Sequence, residues 1–273
     1  MNGKYLAVFA SGVVVLAGCG GGDGGSAPTT VGGDEFTSLV KETNFVQGFP
    51  SLYSDYLDGQ KLVQNGTVRF DTTNQIPLYY VSLEGTQPPT AVVEAVNQIE
   101  SRLGNIFTDF HLLTDDLSGY RDLSFPTENR GNYTYSEASF KNAHGIIGGL
   151  VFSQGTAYYS TEWANDPQEM CGNASIGPYT GNLSLVVNPA THTYSASSLL
   201  WVNMGNGQCS WDYQMAKHEM AHAMGMFSHL DGYFGLWSET AMDILATLYS
   251  NSAGTPFNAV SYTHLTLPTI NWV

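Results

Sequence analysis

The chain has 273 residues, a formal net charge of −15, and only 12% charged residues beside 12% aromatic ones. This acidic balance argues against a nucleic-acid-binding protein and against a polybasic membrane patch, because both need clustered Lys and Arg. The composition is that of a globular protein, and residues 35–259 are enough for one sizeable domain with its own core.

The first residues have the pattern of an export signal. A positively charged start precedes an apolar run over 5–16, which is shorter than the roughly 20 residues that span a bilayer and has the length of a signal-peptide core. The run ends in LAGC at 16–19, which resembles the lipobox of bacterial lipoproteins. The resemblance implies a signal peptide over 1–18 and a lipid anchor on Cys19. A plain secretory signal is the alternative.

Residues 19–34 are expected to comprise the lipidated Cys19 and a glycine-rich stretch that acts as a flexible tether. We therefore expect the domain to be held at the bacterial cell envelope, on the outer membrane or cell surface. Its membrane contact would be made through the lipid on Cys19, and we expect a monomer.

The domain is predicted to open with a strand and a helix. Residues 76–83, IPLYYVSL, are rich in aromatic and branched side chains and predict a strand. Thr90 is the predicted N-cap of a helix that ends at Gly104, because its apolar residues recur on one helical face. Those residues are Val92, Val96, Ile99 and Leu103.

Short strands are predicted to dominate residues 105–200, where apolar runs alternate with Gly, Asn, Pro and Ser. The strand candidates are FHLLT at 110–114, GGLVFSQGTAYYS at 148–160, NLSLVVN at 182–188 and SSLLWVNMG at 197–205. Strands and helices in this order indicate the α+β class with a mixed sheet.

Two helices follow the last strand candidate. Ser210 is the predicted N-cap of a helix from Trp211 to Met224, since neither Pro nor Gly interrupts this run. Ser238 is the predicted N-cap of a further helix over 238–250.

Two cysteines remain once Cys19 is assigned to the anchor. Cys171 and Cys209 form an even pair in an exported chain, where the compartment is oxidising, and so predict one disulfide. The alternative, a cysteine metal ligand, is weaker because neither residue has a second cysteine at ligand spacing.

The segment HEMAHAMGMFSH at 218–229 contains three of the seven histidines in the chain. His218 and His222 are four residues apart in a predicted helix, so both imidazoles lie on one face and can bind one Zn²⁺ ion. Glu219, beside the first histidine, is placed to deprotonate a water on that ion without ligating it. The spacing therefore predicts a catalytic zinc site.

Gly225 and His229 extend this motif, because the glycine ends the helix in a turn and the histidine supplies a third protein ligand. The pattern resembles the metzincin signature H-E-x-x-H-x-x-G-x-x-H, with the last histidine one residue later than in that family. The resemblance implies a zinc endopeptidase with a twisted mixed sheet, a backing helix, an active-site helix and a small C-terminal subdomain, truncated here. It also implies that the edge strand, which we place at 199–204, pairs with extended substrate.

A second ligand set is open. Glu239 and Asp243, four residues apart, resemble the gluzincin pattern, in which a glutamate is the third ligand and an aspartate orients a histidine. A helical first-turn position favoured by the helix dipole is the simpler explanation of Glu239. Met242 lies inside the predicted helix and is not assigned to the metzincin Met-turn.

The end of the chain has an unusual pattern. VSYTHLTLPT at 260–269 resembles the translation of a sequencing adapter. We therefore predict that residues 260–273 are not native and that His264 carries no function, with a genuine threonine-rich tail as the alternative.

Together these features predict a zinc-dependent endopeptidase, in which Glu219 activates a zinc-bound water to hydrolyse a peptide or protein substrate. The alternative is a non-enzymatic surface lipoprotein, an adhesin or binding module, with a structural or vestigial metal site. The two differ at the fourth coordination position of the metal, which is a water in the enzyme and a protein side chain in a closed structural site.

Overall fold

A computed structural model describes residues 33–44, 65–117, 137–153, 173–175, 187–188, 190–204, 212–227, 229 and 237–261. The predicted lipid anchor at Cys19 and the predicted disulfide between Cys171 and Cys209 lie outside them, as does most of the tail predicted over 260–273.

Helices and strands alternate along the described part of the chain. The helices are α1 (Gly33–Asn44), α2 (Thr90–Leu103), α3 (Glu137–His144), α4 (Tyr213–Ala223) and α5 (Glu239–Ser250), followed by a 3-10 turn over Phe257–Ala259. The strands are β1 (Ile76–Ser82), β2 (Phe107–Thr114), β3 (Gly149–Ser153), β4 (Asn173–Ser175), β5 (Val187–Asn188), β6 (Thr193–Tyr194) and β7 (Leu199–Asn203). This content confirms the predicted mixture of helix and strand.

The main sheet has the strand order β2-β1-β3-β7-β4. Neighbouring strands are parallel except for β4, which runs antiparallel to β7. Parallel neighbours need a crossover connection, and α2 lies between β1 and β2 in the chain. β5 and β6 form a separate antiparallel pair.

The segment 199–204 contains a strand as predicted, but the prediction that it forms the edge of the sheet is wrong. Within the described sheet, β7 is flanked by β3 on one side and by β4 on the other, so β4 forms that edge. Residues 173–175 reach this position from an earlier part of the chain. A local apolar pattern reports that a segment is a strand but not which neighbours it will have.

Helices cover both faces of the sheet. On one face Leu78, Tyr80 and Phe152 pack with apolar side chains of α2, α4 and α5. On the other face Trp201 packs against Phe140 of α3, with ring centroids 5.1 Å apart. Successive strand residues point to opposite faces, so strands covered on both sides are continuous apolar runs.

Helix α2 ends where the sequence predicts but begins one residue earlier than predicted. Gly104 has a φ of 85° and its N–H donates to the Glu100 carbonyl at 2.8 Å, as expected of a C-cap. Pro89, not Thr90, is the N-cap, and no side chain caps this end. Thr90 is instead the first helical residue, because the extended backbone of the proline sets the entry of the chain.

One of the two N-caps predicted for α4 and α5 is found in the structure. The predicted cap at Ser238 is confirmed, since its hydroxyl accepts from the Ala241 N–H at 3.1 Å. The cap predicted at Ser210 is wrong, because Asp212 accepts from the Met215 N–H at 2.9 Å and the helix begins after it. Serine and aspartate are comparable N-caps, so the first polar candidate in a sequence is not always the one used.

Helices α1 and α3 are not predicted from the sequence. Helix α1 begins inside the stretch predicted as tether, and Phe36 and Val40 are its buried apolar side chains. Its three apolar residues, which include the partly buried Leu39, span little more than one turn and are too few to establish a helical period. None of the helices in the described part of the chain is long and apolar enough to cross a membrane.

Candidate metal centre

Helix α4, which bears two of the candidate ligands, is buried in the protein interior. Every residue over 216–223 is buried. Ala216 and Met220 belong to the main apolar core, whereas His218 and His222 lie together on another part of the helix surface because they are four residues apart. The helix therefore supplies two imidazoles at a buried position.

A sharp turn at Gly225 follows α4. The residue has a φ of 114°, and a Cβ built there would lie only 2.6 Å from the Val68 carbonyl oxygen. Glycine meets both requirements, since it lacks the Cβ and adopts positive φ freely. The Met226 N–H then donates to the Ala221 carbonyl at 2.9 Å, which closes the turn. The reversal leads the chain to His229.

His229 joins His218 and His222 in one cluster. The Nε2 atoms are separated by 3.0 Å for His218 and His229, 3.1 Å for His222 and His229, and 3.2 Å for His218 and His222. Zinc–nitrogen bonds of about 2.0–2.1 Å at tetrahedral angles place two ligand nitrogens about 3.3 Å apart. The three histidines therefore lie close enough to hold one metal ion, despite the one-residue longer spacing before His229.

The surroundings favour the neutral imidazoles that bind metals. His222 Nδ1 lies 2.6 Å from the Met226 carbonyl oxygen. A carbonyl only accepts, so Nδ1 carries the proton and donates, which leaves the Nε2 lone pair for a metal. Burial lowers the pKa of His222 well below its usual value, with His218 and His229 adding to the effect. Burial also lowers the pKa of His229.

Glu219 lies buried next to the cluster, with 7% of its surface exposed. Burial raises the pKa of its carboxyl group to about 8, against the opposing effect of a hydrogen bond from the Ala174 backbone N–H. Ala174 is the middle residue of β4, so the edge strand contacts this carboxyl group directly. Among the described residues, Glu219 is not part of the three-nitrogen cluster, and its position suits a base better than a ligand.

The metal-free chain should become less stable as Glu219 ionises. The carboxyl pKa is near 4.5 in the unfolded chain and about 8 in the folded one, so between these values the folded state binds more protons. The contribution of this group to the free energy of unfolding is complete below about pH 4.5 and falls as the pH rises to about 8.

Glu219→Gln removes this dependence while the histidines titrate in both proteins. The measurement is urea unfolding of both metal-free proteins at about pH 5 and about pH 8. The free energy of unfolding of the variant, relative to that of the parent, should be higher at about pH 8 than at about pH 5. A stability difference that stays constant with pH would contradict the expectation.

Glu239 and Asp243 are not part of the histidine cluster. Asp243 forms an ion pair with Arg102 of α2, and Glu239 lies in the first turn of α5, where it opposes the lowering of the Lys217 pKa by burial. Within the described ranges, the three histidines are the one group of side chains placed to hold a metal. Met242 lies inside α5 and not in a turn.

Two residues that hold the turn after α4 are not predicted from the sequence. The Asn44 side-chain amide donates to the Gly225 carbonyl at 2.6 Å, and the Tyr249 hydroxyl donates to the Met224 carbonyl at 3.0 Å. Both therefore hold the turn that leads to His229. No local pattern marks them, because each is a single polar residue in a helix distant along the chain from the turn.

Comparisons of the chain with protein-family models, with curated proteins and with solved structures find no match.

Proposed function

We propose that this protein is a zinc-dependent endopeptidase, with His218, His222 and His229 as the zinc ligands and Glu219 as the general base. The observation that carries the proposal is the convergence of three imidazole Nε2 atoms at separations of 3.0–3.2 Å. A buried carboxyl group one residue after the first ligand supports it further. The resemblance of the segment 218–229 to the metzincin motif agrees with the same assignment.

Zinc is the ion that this donor set suits best. Three neutral imidazoles without a carboxylate in the cluster are typical ligands of Zn²⁺ and poor ligands of Mg²⁺ or Ca²⁺, which prefer oxygen. Three protein ligands leave one coordination position for water, as in catalytic zinc sites. The hydrogen bond from His222 Nδ1 to the Met226 carbonyl is the kind of support that orients a ligating histidine.

The reaction that this arrangement favours is hydrolysis of a peptide bond. When bound, zinc supplies a Lewis acid that polarises the scissile carbonyl and lowers the pKa of a water molecule. Glu219 accepts the proton of that water and delivers it to the leaving amine nitrogen. Its burial favours proton uptake, and the Ala174 N–H orients the carboxylate.

The substrate is proposed to bind along β4. The described sheet ends at this strand, and Ala174 within it reaches Glu219. An extended peptide that adds to a sheet edge is held by main-chain hydrogen bonds and does not require a particular sequence. We therefore move the proposed substrate-pairing edge from 199–204 to β4, and propose a peptide or protein in extended conformation as substrate.

A closed structural metal site is the alternative to an enzyme. Such a site needs a fourth protein ligand, and in the part of the chain that the structure describes the cluster contains three histidines and no further ligand. The two forms differ at the fourth coordination position, which is a water in the enzyme and a protein side chain in a closed site. We further propose that the protein acts at the cell envelope through the lipid anchor predicted on Cys19, which stays a prediction.

Zinc content should distinguish the two ligand sets. We expect the full chain to bind about one zinc ion, and His229→Ala to lower this well below one because two ligands hold the ion too weakly. Glu239→Ala should leave the content unchanged, since this residue is outside the cluster. The measurement is elemental analysis after dialysis, with far-UV circular dichroism as the check of folding.

The outcomes separate clearly. Zinc retained by His229→Ala and lost by Glu239→Ala would transfer the third ligand to α5. A folded parent protein that takes up no zinc would overturn the proposed function.

A further inference from the structure

We propose that Asn44, the last residue of α1, is a positioning residue for the metal centre; this inference rests on the proposed zinc site. Asn44 is 1% exposed. The Nδ2 group donates to the Val68 carbonyl at 2.7 Å and to the Gly225 carbonyl at 2.6 Å, and Oδ1 accepts from the Val68 N–H at 2.8 Å. One buried amide thus joins α1, the segment at Val68 and the turn after α4.

The amide holds one particular peptide unit, the one between Gly225 and Met226. Asn44 binds its carbonyl oxygen, and the Ala221 carbonyl accepts from its N–H at 2.9 Å. A peptide group is planar, so hydrogen bonds on both sides fix its orientation. Gly225 by itself would not hold this orientation, because glycine is the residue with the widest choice of backbone angles.

The orientation of this peptide unit affects two of the three proposed ligands. The next carbonyl along the chain, that of Met226, accepts from His222 Nδ1 at 2.6 Å. The same backbone continues for three more residues to His229. A rotation of the peptide unit would therefore turn the ring of His222 and displace His229 together. Asn44 acts on the metal through these groups and does not itself belong to the ligand cluster.

An asparagine suits this position for chemical reasons. The surrounding groups are two carbonyls and one N–H, and a side-chain amide offers both the donors and the acceptor that they require. Asp keeps the acceptor but loses the donors, and Leu loses both at similar size. Either change leaves buried carbonyl oxygens without their hydrogen-bond donor, which lowers the stability of the folded protein. A movement of the turn would reduce this loss, so we expect the turn to shift.

The adjacent Thr43 provides a matched control. It is 0% exposed and lies on the same helix, but its hydroxyl donates only to the Leu39 and Val40 carbonyls within α1. Thr43→Val therefore perturbs α1 to a comparable depth without touching the turn. A residue that merely attaches α1 to the core would behave like this control.

The experiment measures zinc affinity of the full chain by competition with a chelator, for the parent, Asn44→Asp, Asn44→Leu and Thr43→Val. We expect both Asn44 variants to bind zinc about tenfold more weakly, the lower end of the effect of groups that orient ligands. Thr43→Val should match the parent. The visible spectrum of the Co²⁺-loaded proteins should change in the Asn44 variants only, because it reports ligand geometry.

Failure has distinct forms. Unchanged zinc affinity and Co²⁺ spectra in both Asn44 variants would overturn this inference alone, whereas a folded parent protein that binds no zinc would overturn the proposed function with it. If neither variant folds, hydrogen exchange of the parent decides. Zinc should slow exchange of the Asn44 side-chain amide protons, because coupling between two sites is reciprocal. Identical exchange with and without zinc would overturn the inference.

Discussion

Glu219→Gln is expected to lower the rate of peptide hydrolysis by about 10²–10⁴-fold, the usual contribution of a general base. Glutamine has nearly the shape of glutamate but accepts no proton at neutral pH. The zinc content should remain at about one ion per chain, since three histidine ligands are retained. The expected signature is thus a folded, zinc-loaded and inactive protein.

The measurement uses a fluorogenic peptide mixture, with zinc content determined on the same samples. Glu239→Gln is the matched control, because it makes the same chemical change in the first turn of α5, outside the histidine cluster. Full activity in Glu219→Gln would exclude Glu219 as the base. Loss of zinc in that variant would instead make Glu219 a ligand, which disagrees with the cluster of three nitrogens.

Gly225→Ala is expected to destabilise the protein by about 2–5 kcal/mol, the sum of backbone strain at positive φ and overpacking. The new Cβ would lie 2.6 Å from the Val68 carbonyl oxygen and 3.1 Å from Asn44 Nδ2. A shift of either neighbour would disturb the hydrogen bonds that join Asn44 to the Val68 backbone. The turn would have to shift, and zinc affinity should fall with stability because the same backbone leads to His229.

Gly145→Ala separates the two contributions. Gly145 has a φ of 64°, but nothing lies within 4 Å of a Cβ built there. Only the backbone strain applies, so we expect about 1–2 kcal/mol and no change in zinc affinity. Urea unfolding of metal-free proteins measures the first quantity and chelator competition the second. Equal losses of stability in the two variants would show that close packing at Gly225 is unimportant.

The elements that the sequence predicted well are those with a local signature. Helix α4 follows from the sequence because neither Pro nor Gly interrupts the segment that contains His218 and His222. The strand at 76–83 was found as β1, with its end one residue earlier. The cap at Ser238 and the end of α2 at Gly104 follow from side-chain and backbone chemistry within a few residues.

The errors concern positions where two residues competed for one role or where the pattern was weak. Asp212 displaced Ser210 as the cap of α4, and Pro89 displaced Thr90 at the start of α2. Helix α1 has only three apolar side chains, so its sequence shows no clear helical period. A misplaced cap moves a boundary by one or two residues, but a missed helix hid Asn44, the side chain that holds the turn of the proposed site.

The motif at 218–229 was sufficient to predict two histidines on one helical face, because a helical spacing of four residues fixes their relation. It could not decide between His229 and Glu239, since either lies beyond a turn whose direction depends on distant contacts. The tertiary structure brings His229, and not Glu239, close to the other two histidines, and Val68, Asn44 and Tyr249 contact the turn after α4 that leads there. The position of β4 beside Glu219 has the same origin. Hydrogen bonds between residues far apart in the chain have no period or spacing, so only the folded protein reveals them.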